Sequence, residues 1–331
     1  MVISVGDIDL AGQVVLAPMS GVTDFAFRKS VAACGAAMVV SEMVASEELV
    51  RGRRDVVLRA EGRGLAPFTL QLAGREALWM AQGAAVATEA GADIIDINMG
   101  CPSRQVTGGL SGSALMRDET HAGELIAATV AATSRPVTLK MRLGWDHTSL
   151  NAPTIARIAE DLGVALITVH GRTRCQFYKG AADWRAIRAV VDAVRVPVIA
   201  NGDIVDGASA RMALAQSGAA GIMVGRAAVG RPWLLAQIQS YLAHDMWPEA
   251  PAAAARFEIF RRWYLDTLEL YDAGHGVRVA RKHLAGFIDD FCTPDTAARW
   301  RGHICRLHEP SDVIDAMHDM FARGQETGVA A

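Results

Sequence analysis

The sequence lacks several features that mark special classes of protein. No uninterrupted apolar run among its 331 residues reaches about 18 residues, the length that a membrane-spanning helix needs. Its start carries no secretory signal pattern. The five cysteines are odd in number and widely scattered, which is unlike a disulfide framework. These absences predict a cytoplasmic protein with free thiols and no association with a membrane.

No charge of one sign dominates either. Lysine and arginine number 33 against 36 aspartate and glutamate, for a formal net charge of −3. This balance argues against a partner held by overall positive charge, although a local basic patch can still bind nucleic acid. Hydrophobic residues make up 51% of the chain, which excludes a mostly disordered protein. The length allows two domains, or one large barrel with an appendage.

The first 240 or so residues alternate short β-rich runs with alanine-rich helical stretches. The β-rich runs are almost continuously apolar, as strands buried on both faces are. Stretches with helical spacing of apolar residues lie between them, at 76–90, 119–133, 152–162, 184–194 and 208–217. The eight β-rich runs cover residues 14–19, 37–43, 68–72, 93–98, 137–142, 166–170, 197–201 and 221–225.

Eight strand–helix units at fairly even spacing predict an α/β protein with a (β/α)8 TIM barrel, which we favour over a doubly wound sheet. Residues 244–255 carry two prolines and an alanine run, and predict a linker. Beyond it, large apolar residues recur at three- and four-residue steps, which predicts a small C-terminal helical domain. The predicted domains are therefore 1–243 and 256–331.

Polar and ionisable residues follow the predicted strands at their carboxyl ends, where TIM barrels build their active sites. Taken singly, each has an ordinary structural interpretation: Lys140 would more often be solvated or ion-paired, and His170 a core residue. Only if the barrel closes do they share one rim. These residues are Pro18, Met19, Ser20, Gln71, Asn98, Cys101, Lys140, Arg142, His170, Arg172, Asn201, Gly202, Asp203, Gly225 and Arg226.

The last two strand ends indicate a phosphate site. TIM barrels often hold phosphate in the loops after strands seven and eight, through backbone N–H groups and a helix N-terminus. Gly202 and Gly225 allow close approach of the backbone, and Arg226 adds charge and a fork of donors. This combination predicts a phosphorylated ligand such as a nucleotide cofactor.

The cysteines indicate one reactive group and no metal. Cys101 lies between a glycine and a proline in a predicted loop, which is unlike the usual buried cysteine. Cys292, His303, Cys305 and His308 come close together in the sequence, but their spacing fits no standard zinc pattern. The sequence therefore predicts no metal site.

Six blocks of the sequence together resemble the tRNA-dihydrouridine synthases, most closely the bacterial B-type enzymes. The likeness runs from about residue 5 to about residue 290. MGCP in the fourth loop, followed in order by the NGD and GR blocks, is a specific combination, whereas any single block is not. The blocks are APMSGVTD at 17–24, DINMGCP at 96–102, VHGRTR at 169–174, ANGDI at 200–204, GRAAVGRPW at 225–233 and VARKH at 279–283.

The resemblance implies an FMN-dependent reductase that converts particular uridines of tRNA to 5,6-dihydrouridine, with NADPH as electron donor. It places the flavin over the mouth of the barrel. Carried over by position, the residues implied to contact the flavin are Pro18, Met19, Ser20, Gln71, Lys140 and His170. Those implied to hold its phosphate end are Asn201, Gly202, Asp203, Gly225 and Arg226.

The resemblance also implies a division of the chemistry. Hydride from reduced flavin goes to C6 of the uracil, and a cysteine that matches Cys101 protonates C5. Such a cysteine must be kept as a thiol. Asn98 and Arg172 match uracil contacts. A uridine in folded tRNA must be extruded to react, so the helical domain is implied to dock the RNA backbone. The residues implied to do so are Arg278, Arg281 and Lys282, on one side of a predicted helix.

Three alternatives stay open on the sequence. A related flavin barrel that acts on a free pyrimidine would share the chemistry, but would not need the basic helix beyond the linker. A flavin-free aldolase would use Lys140 to form a Schiff base. A non-catalytic RNA-binding protein could have kept the barrel, although no feature of the sequence favours it.

Overall fold

The computed structural model describes residues 2–326, and eight of the strands among them run parallel in a closed barrel. The strands are β1 Ile3–Val5, β2 Ile8–Leu10, β3 Val14–Leu16, β4 Met38–Val40, β5 Val44–Ala45, β6 Phe68–Ala73, β7 Ile94–Met99, β8 Val137–Arg142, β9 Leu166–His170, β10 Val198–Asn201 and β11 Gly221–Val224. Each of the predicted β-rich runs contains one barrel strand.

Closure of the barrel occurs between β4 and β6. Val39 pairs with Phe68 and Val40 with Thr69, while the short β5 extends the pairing of β6 at Leu72 and Ala73. All residues of β6, β7 and β8 are buried, because one face of each strand packs inside the barrel and the other packs against helices. The predicted (β/α)8 barrel is confirmed, and the doubly wound sheet is excluded.

A β-hairpin that was not predicted closes one end of the barrel. β1 and β2 pair antiparallel, and their buried residues Ile3, Val5 and Leu10 pack with the inward-facing side chains of the barrel strands. Ile3 approaches Gly221 at the start of β11, so the hairpin lies at the amino ends of the strands. The carboxyl ends are left as the open mouth of the barrel.

Helices surround the barrel and then form a separate group after it. α1 to α10 accompany the strands, and the helical stretches predicted from spacing correspond to α4, α6, α7, α8 and α9. The helices are α1 Phe25–Ala33, α2 Ser46–Val50, α3 Arg54–Ala60, α4 Ala77–Glu89, α5 Arg104–Gly108, α6 Glu119–Ala131, α7 Ala152–Asp161, α8 Trp184–Val191, α9 Gly207–Ser217, α10 Leu234–His244, α11 Ala253–Tyr271, α12 Ala273–Phe291, α13 Pro294–Ile304 and α14 Pro310–Glu326.

The C-terminal helices α11 to α14 pack around an aromatic core, as the large apolar residues at helical spacing predict. Phe260, Trp263, Tyr264 and Phe287 form a network of ring contacts with centroids 5.5–6.3 Å apart. The helical group belongs to the same hydrophobic core as the barrel, through contacts of α11 with α1. α11 begins at Ala253, so the end of the predicted linker is helical.

Two glycines allow the barrel and α12 to meet backbone to backbone. Gly230 follows β11 and has a φ of +75°, in the left-handed region. A Cβ added to it would lie 2.1 Å from the carbonyl carbon of Gly286 on α12. Any larger residue at Gly230 would therefore push the helical group away from the barrel.

We expect Gly230→Ala to lower the free energy of unfolding by about 2 kcal/mol or more, through backbone strain and overpacking. Chemical denaturation followed by circular dichroism measures the change. Gly302→Ala is the matched control, because Gly302 lies in α13 and an added Cβ there meets no atom within 4 Å. The control should be neutral or stabilising by up to about 1 kcal/mol. Equal losses in the two variants would contradict the proposed backbone contact.

Candidate active site

A cavity of about 820 Å³ opens at the carboxyl ends of the barrel strands. Its volume lies in the range of small-molecule and cofactor sites. Closure of the barrel places every site residue that was predicted for the barrel along the wall of this cavity. These are Pro18, Met19, Ser20, Gln71, Asn98, Cys101, Lys140, His170, Arg172, Asn201, Gly202, Asp203, Gly225 and Arg226.

Beneath the cavity, buried amide and carboxylate side chains on neighbouring strands bond to one another. Gln71 Nε2 donates to Asp96 Oδ2 at 2.6 Å, and Asn98 Nδ2 donates to Gln71 Oε1 at 2.7 Å. Thr138 Oγ1 donates to Asp96 Oδ1 at 2.6 Å. Strand register places these residues on one face, since Gln71 pairs with Asp96 and Asp96 with Thr138. Gln71 and Asn98 are therefore presented to the cavity in fixed orientations.

Lys140 brings a cation into this buried polar layer. It lies on β8 directly beside Asn98, and its Nζ donates to Asn201 Oδ1 at 3.1 Å. Asn201 is oriented in turn, because its Nδ2 donates to the carbonyl of Met223 at 2.8 Å. Burial, with repulsion from Arg142, lowers the pKa of Lys140 to about 8. An ammonium has three donors, and the donors of Lys140 that do not serve Asn201 can serve a ligand.

Cys101 lies in the loop after β7 and is held through its backbone. Its N–H donates to Asn98 Oδ1 at 3.0 Å, and its carbonyl accepts from the Ser113 hydroxyl at 2.8 Å. Gly112 lets the loop pack tightly, since an added Cβ would lie 2.9 Å from the Cys101 carbonyl oxygen. The side chain is half-buried, and burial raises the pKa of the Cys101 thiol. The sulfur is therefore protonated at neutral pH.

Arg142 ends β8 and connects two loops of the rim. Its Nε donates to the Gly100 carbonyl at 2.8 Å, and its Nη1 donates to the carbonyls of Thr173 and Phe177 at 2.8 and 2.9 Å. The side chain is buried, which lowers its pKa to about 10 and leaves it charged at neutral pH. The sequence places Arg142 at a strand end but assigns it no role, because carbonyl acceptors cannot be identified before the loops are folded.

Arg172 and Asp203 organise the opposite side of the mouth. Arg172 is 2% exposed and donates from Nε to Lys179, from Nη1 to His170 Nε2, and from Nη2 to Gly180 and Asp203. Arginine can only donate, so His170 accepts with an unprotonated Nε2 and carries its proton on Nδ1. Burial and the surrounding cations hold the pKa of His170 well below its usual range.

The residues of the predicted phosphate site lie side by side at the ends of β10 and β11. Gly202 has a φ of +116°, and an added Cβ would lie 2.7 Å from Ala182, so this position requires glycine. Arg226 is largely exposed and donates to Asp203 Oδ1 at 3.4 Å. The Asp203 carboxylate therefore bonds to both Arg172 and Arg226, and most of the Arg226 side chain stays exposed.

The charged residues that line the cavity are mostly cations. Lys140, Arg142, Arg172, Arg226 and Arg231 face a single lining carboxylate, that of Asp203. This local excess occurs in a chain whose formal net charge is −3. Because low-dielectric walls concentrate the field of buried charges, the cavity favours an anionic ligand.

The predicted RNA-docking residues lie outside the cavity. Arg278 and Lys282 are exposed on α12, whereas Arg281 is partly buried and its Nε is enclosed. Lys282 Nζ comes within 3.6 Å of where a Cβ on Gly21 would be, so it lies at the rim next to the first loop. The three residues lie on the same helix but differ in their exposure to solvent.

Tyr178 is a cavity residue that the sequence did not indicate. It lies in the loop after β9, well past the strand end, and the residue is about half exposed. A search for polar residues at the carboxyl ends of predicted strands cannot identify such a residue, because its position depends on how the loop folds back.

None of the helices between residues 2 and 326 combines the length and the apolar character that a membrane crossing requires. Over the same residues, no three histidine, cysteine or acidic side chains come together as metal ligands. Cys292, His303, Cys305 and His308 therefore form no such group.

A closed barrel with a polar, cationic cavity at its strand ends defines the class of TIM-barrel enzymes. The sequence model of the Dihydrouridine synthase (Dus) family matches residues 15–323. The chain therefore belongs to the dihydrouridine synthase family, and the predicted family is confirmed.

Curated relatives match the chain over nearly its whole length. A probable tRNA-dihydrouridine synthase of Rhodobacter capsulatus is 50% identical over 324 residues, covering 97% of this chain and 98% of the relative. A protein of the same name from Rickettsia conorii is 46% identical, with 98% of each chain covered. The tRNA-dihydrouridine synthase B of Pseudomonas aeruginosa is 40% identical, covering 100% of this chain and 99% of the relative.

The lowered pKa of Lys140 predicts a pH-dependent stability. In the unfolded chain the pKa returns to about 10.5, so between pH 8 and 10.5 the unfolded state binds more protons than the folded state. The ligand-free protein should therefore gain about 2 kcal/mol of stability between pH 7 and 9.5, relative to Lys140→Met. Chemical denaturation at both pH values measures it. Lys179→Met, at an exposed position, controls for loss of a surface lysine. A pH-independent difference between wild type and Lys140→Met would contradict the assignment.

Proposed function

We propose that this protein reduces uridines of tRNA to 5,6-dihydrouridine, with FMN as cofactor and NADPH as electron donor. The observation that carries the proposal is the position of the protonated Cys101 in the same cavity as Lys140, Gln71 and Asn98. Membership of the dihydrouridine synthase family supports it. The relatives named tRNA-dihydrouridine synthase cover the chain almost completely, which makes tRNA the proposed substrate.

The chemistry of the cavity fits FMN. The buried donors and acceptors of its floor suit the edge of a flavin ring, which offers carbonyl oxygens and ring nitrogens. The charged end at Gly202, Gly225 and Arg226 suits a phosphate. The proposed flavin contacts are Pro18, Met19, Ser20, Gln71, Lys140 and His170, and the proposed phosphate contacts are Asn201, Gly202, Asp203, Gly225 and Arg226.

When bound and reduced, FMN supplies a hydride for C6 of the uracil. Lys140 contributes positive charge beside the cofactor, since its pKa of about 8 keeps it mainly protonated at neutral pH. His170 stays neutral and serves as a hydrogen-bonding group, because its pKa is held low. The side chains of the floor thus hold the site in one arrangement before any ligand enters.

Cys101 is the proposed general acid, which gives its Sγ proton to C5 of the uracil. A neutral thiol is needed for this step, and burial raises its pKa as the step requires. The uracil edge is proposed to contact Asn98 and Arg172. The Nδ2 of Asn98 and the Nη1 of Arg172 each carry a second hydrogen, beyond those directed to Gln71 and His170.

Docking of tRNA is proposed to occur mainly on α12. Its Lys282 reaches the rim of the cavity beside Gly21, so that RNA bound there would lie next to the mouth. We accordingly propose residues 1–243 as the catalytic domain and 256–331 as the RNA-binding domain. Extruding one uridine costs a few kcal/mol, which contacts to the RNA backbone must offset.

The decisive experiment incubates the protein with FMN, NADPH and unmodified tRNA, and maps dihydrouridine by mass spectrometry. New dihydrouridine at a defined position is the expected result. A yellow protein that oxidises NADPH but forms no dihydrouridine would instead indicate a small-molecule substrate. A colourless protein that binds no flavin would overturn the cofactor assignment.

We expect Cys101→Ala to lower dihydrouridine formation by about 10²- to 10⁴-fold, the usual contribution of a general acid. Flavin content and tRNA affinity should stay unchanged. Cys175→Ala is the matched control, because Cys175 is exposed and lies outside the cavity. An unchanged rate for Cys101→Ala would remove this thiol as the acid.

Removing two exposed cations of α12, in Arg278→Ala with Lys282→Ala, should weaken tRNA binding and reduce its salt dependence. Each lost phosphate contact lowers the slope of log K against log[salt] by about 0.7 to 0.9. Filter binding between about 50 and 200 mM salt measures the slope. Arg135→Ala with Arg195→Ala is the control, because both arginines are exposed before β8 and β10, at the closed end. Equal slopes for the two double variants would place the RNA elsewhere.

A further inference from the structure

Residues 101–117, which we call the Cys101 loop, follow β7 and carry the proposed acid. The loop contains the short helix α5 and, after it, a 3₁₀ helix at Gly112–Arg117. Burial raises the pKa of Cys101, and a hydrogen bond from the Ser103 backbone N–H to the sulfur partly opposes this rise. The state of the thiol therefore depends on how firmly the turn at Ser103 is held in place.

The buried side chain of Thr107, in α5, holds this turn. Its backbone N–H donates to the Ser103 carbonyl at 2.9 Å, and its hydroxyl donates to the same oxygen at 3.1 Å. The hydroxyl oxygen accepts in turn from Nη2 of Arg174 at 3.2 Å. A chain of hydrogen bonds thus leads from Arg174, in the loop after β9, through Thr107 to the turn beside the sulfur.

Arg174 is itself fixed by the loop after β8. Its guanidinium packs over the ring of Trp145, 4.7 Å from the ring centroid. The backbones are joined as well, since the N–H of Arg174 donates to the Gly144 carbonyl at 3.0 Å and that of Cys175 to the Trp145 carbonyl at 2.8 Å. The guanidinium of Arg117 lies 4.9 Å from the same ring. Both halves of the Cys101 loop are therefore attached to Trp145.

Arg174 acts on the site from outside the cavity. Neither Arg174 nor Trp145 nor Thr107 lines the cavity wall, so none of them is placed to contact a ligand there. Arg174 is half-buried, and its enclosed Nε bonds to no group among residues 2–326. Enclosing an arginine donor without an acceptor is unfavourable. Stability alone therefore does not account for an arginine at this position.

We propose that Arg174 is a positioning residue, which acts through Thr107 to hold the Cys101 loop so that the sulfur stays half-buried and in place to protonate the uracil. The inference rests on the proposed function. Burial is the main cause that keeps Cys101 a thiol, so a loop released from Arg174 would expose the sulfur to water and lower its pKa. Releasing the loop should therefore make Cys101 more reactive toward alkylating reagents while it slows catalysis.

The test compares wild type with Arg174→Met and Thr107→Val, each of which removes one link of the chain. Thr107→Ser keeps the hydroxyl, and Arg195→Met removes an exposed arginine at the closed end of the barrel. Dihydrouridine formation is measured over a range of unmodified tRNA concentrations. Alkylation of Cys101 by iodoacetamide is measured without tRNA between about pH 6 and 9, by mass spectrometry of its peptide. Cys292, at the end of α12, is the internal reference.

Arg174→Met and Thr107→Val should each lower kcat by about 10- to 100-fold, with KM for tRNA near wild type, because a misplaced acid slows proton transfer and not binding. In both variants Cys101 should be alkylated faster at neutral pH, on the order of tenfold, while Cys292 is unchanged. Thr107→Ser and Arg195→Met should stay near wild type. The double variant should lose no more activity than either single variant, since both break the same chain.

Other results would overturn the proposal. A raised KM with unchanged kcat would make Arg174 an RNA contact, and a lowered kcat with unchanged alkylation of Cys101 would place its effect elsewhere. Faster alkylation of Cys292 together with Cys101 would indicate general loosening of the fold. If wild type itself forms no dihydrouridine, the proposed function fails and this inference falls with it. A failure limited to the variants leaves the proposed function intact.

Discussion

The pairing of β4 with β6 is the contact on which the site depends. In an open sheet the strand ends would lie along a line, and the first and last loops would be far apart. The β4–β6 pairing completes a ring in which β3 also pairs with β11, so all the strand ends surround one mouth and Met19 lies close to Gly225. The hairpin β1–β2 fills the opposite end of the barrel, which leaves one mouth for a ligand.

Buried arginines hold that mouth in shape. Arg142 and Arg172 are directed mainly at loop carbonyls, which compensate the cost of removing a guanidinium from water. Their charges also make the cavity cationic in a slightly acidic protein. One pair of side chains thus provides both rigid loops and attraction for an anionic ligand, which is how a preorganised site is built.

The loop after β3 joins the cavity to the helical group. Its residues Pro18, Met19 and Ser20 line the cavity, and a few residues later the carbonyl of Val22 lies 3.1 Å from His283 Nε2 on α12. Burial lowers the pKa of His283 to about 3, so the imidazole is neutral and donates to that carbonyl. The proposed RNA-binding helix and the proposed flavin wall therefore share one short segment.

Local chemistry of the chain was enough to predict the barrel, its strands and most of the cavity wall. Continuous apolar runs are buried on both faces in any parallel sheet, and strand ends such as Lys140 and Asn201 meet at one rim whenever such a sheet closes. Tyr178 and the bonds of Arg142 could not be predicted in this way. Their positions depend on loops that fold back over the barrel, and loop carbonyls acquire donors only when distant segments meet. The hairpin that closes the barrel was missed because its strands are short, and its pairing depends on packing against the barrel interior.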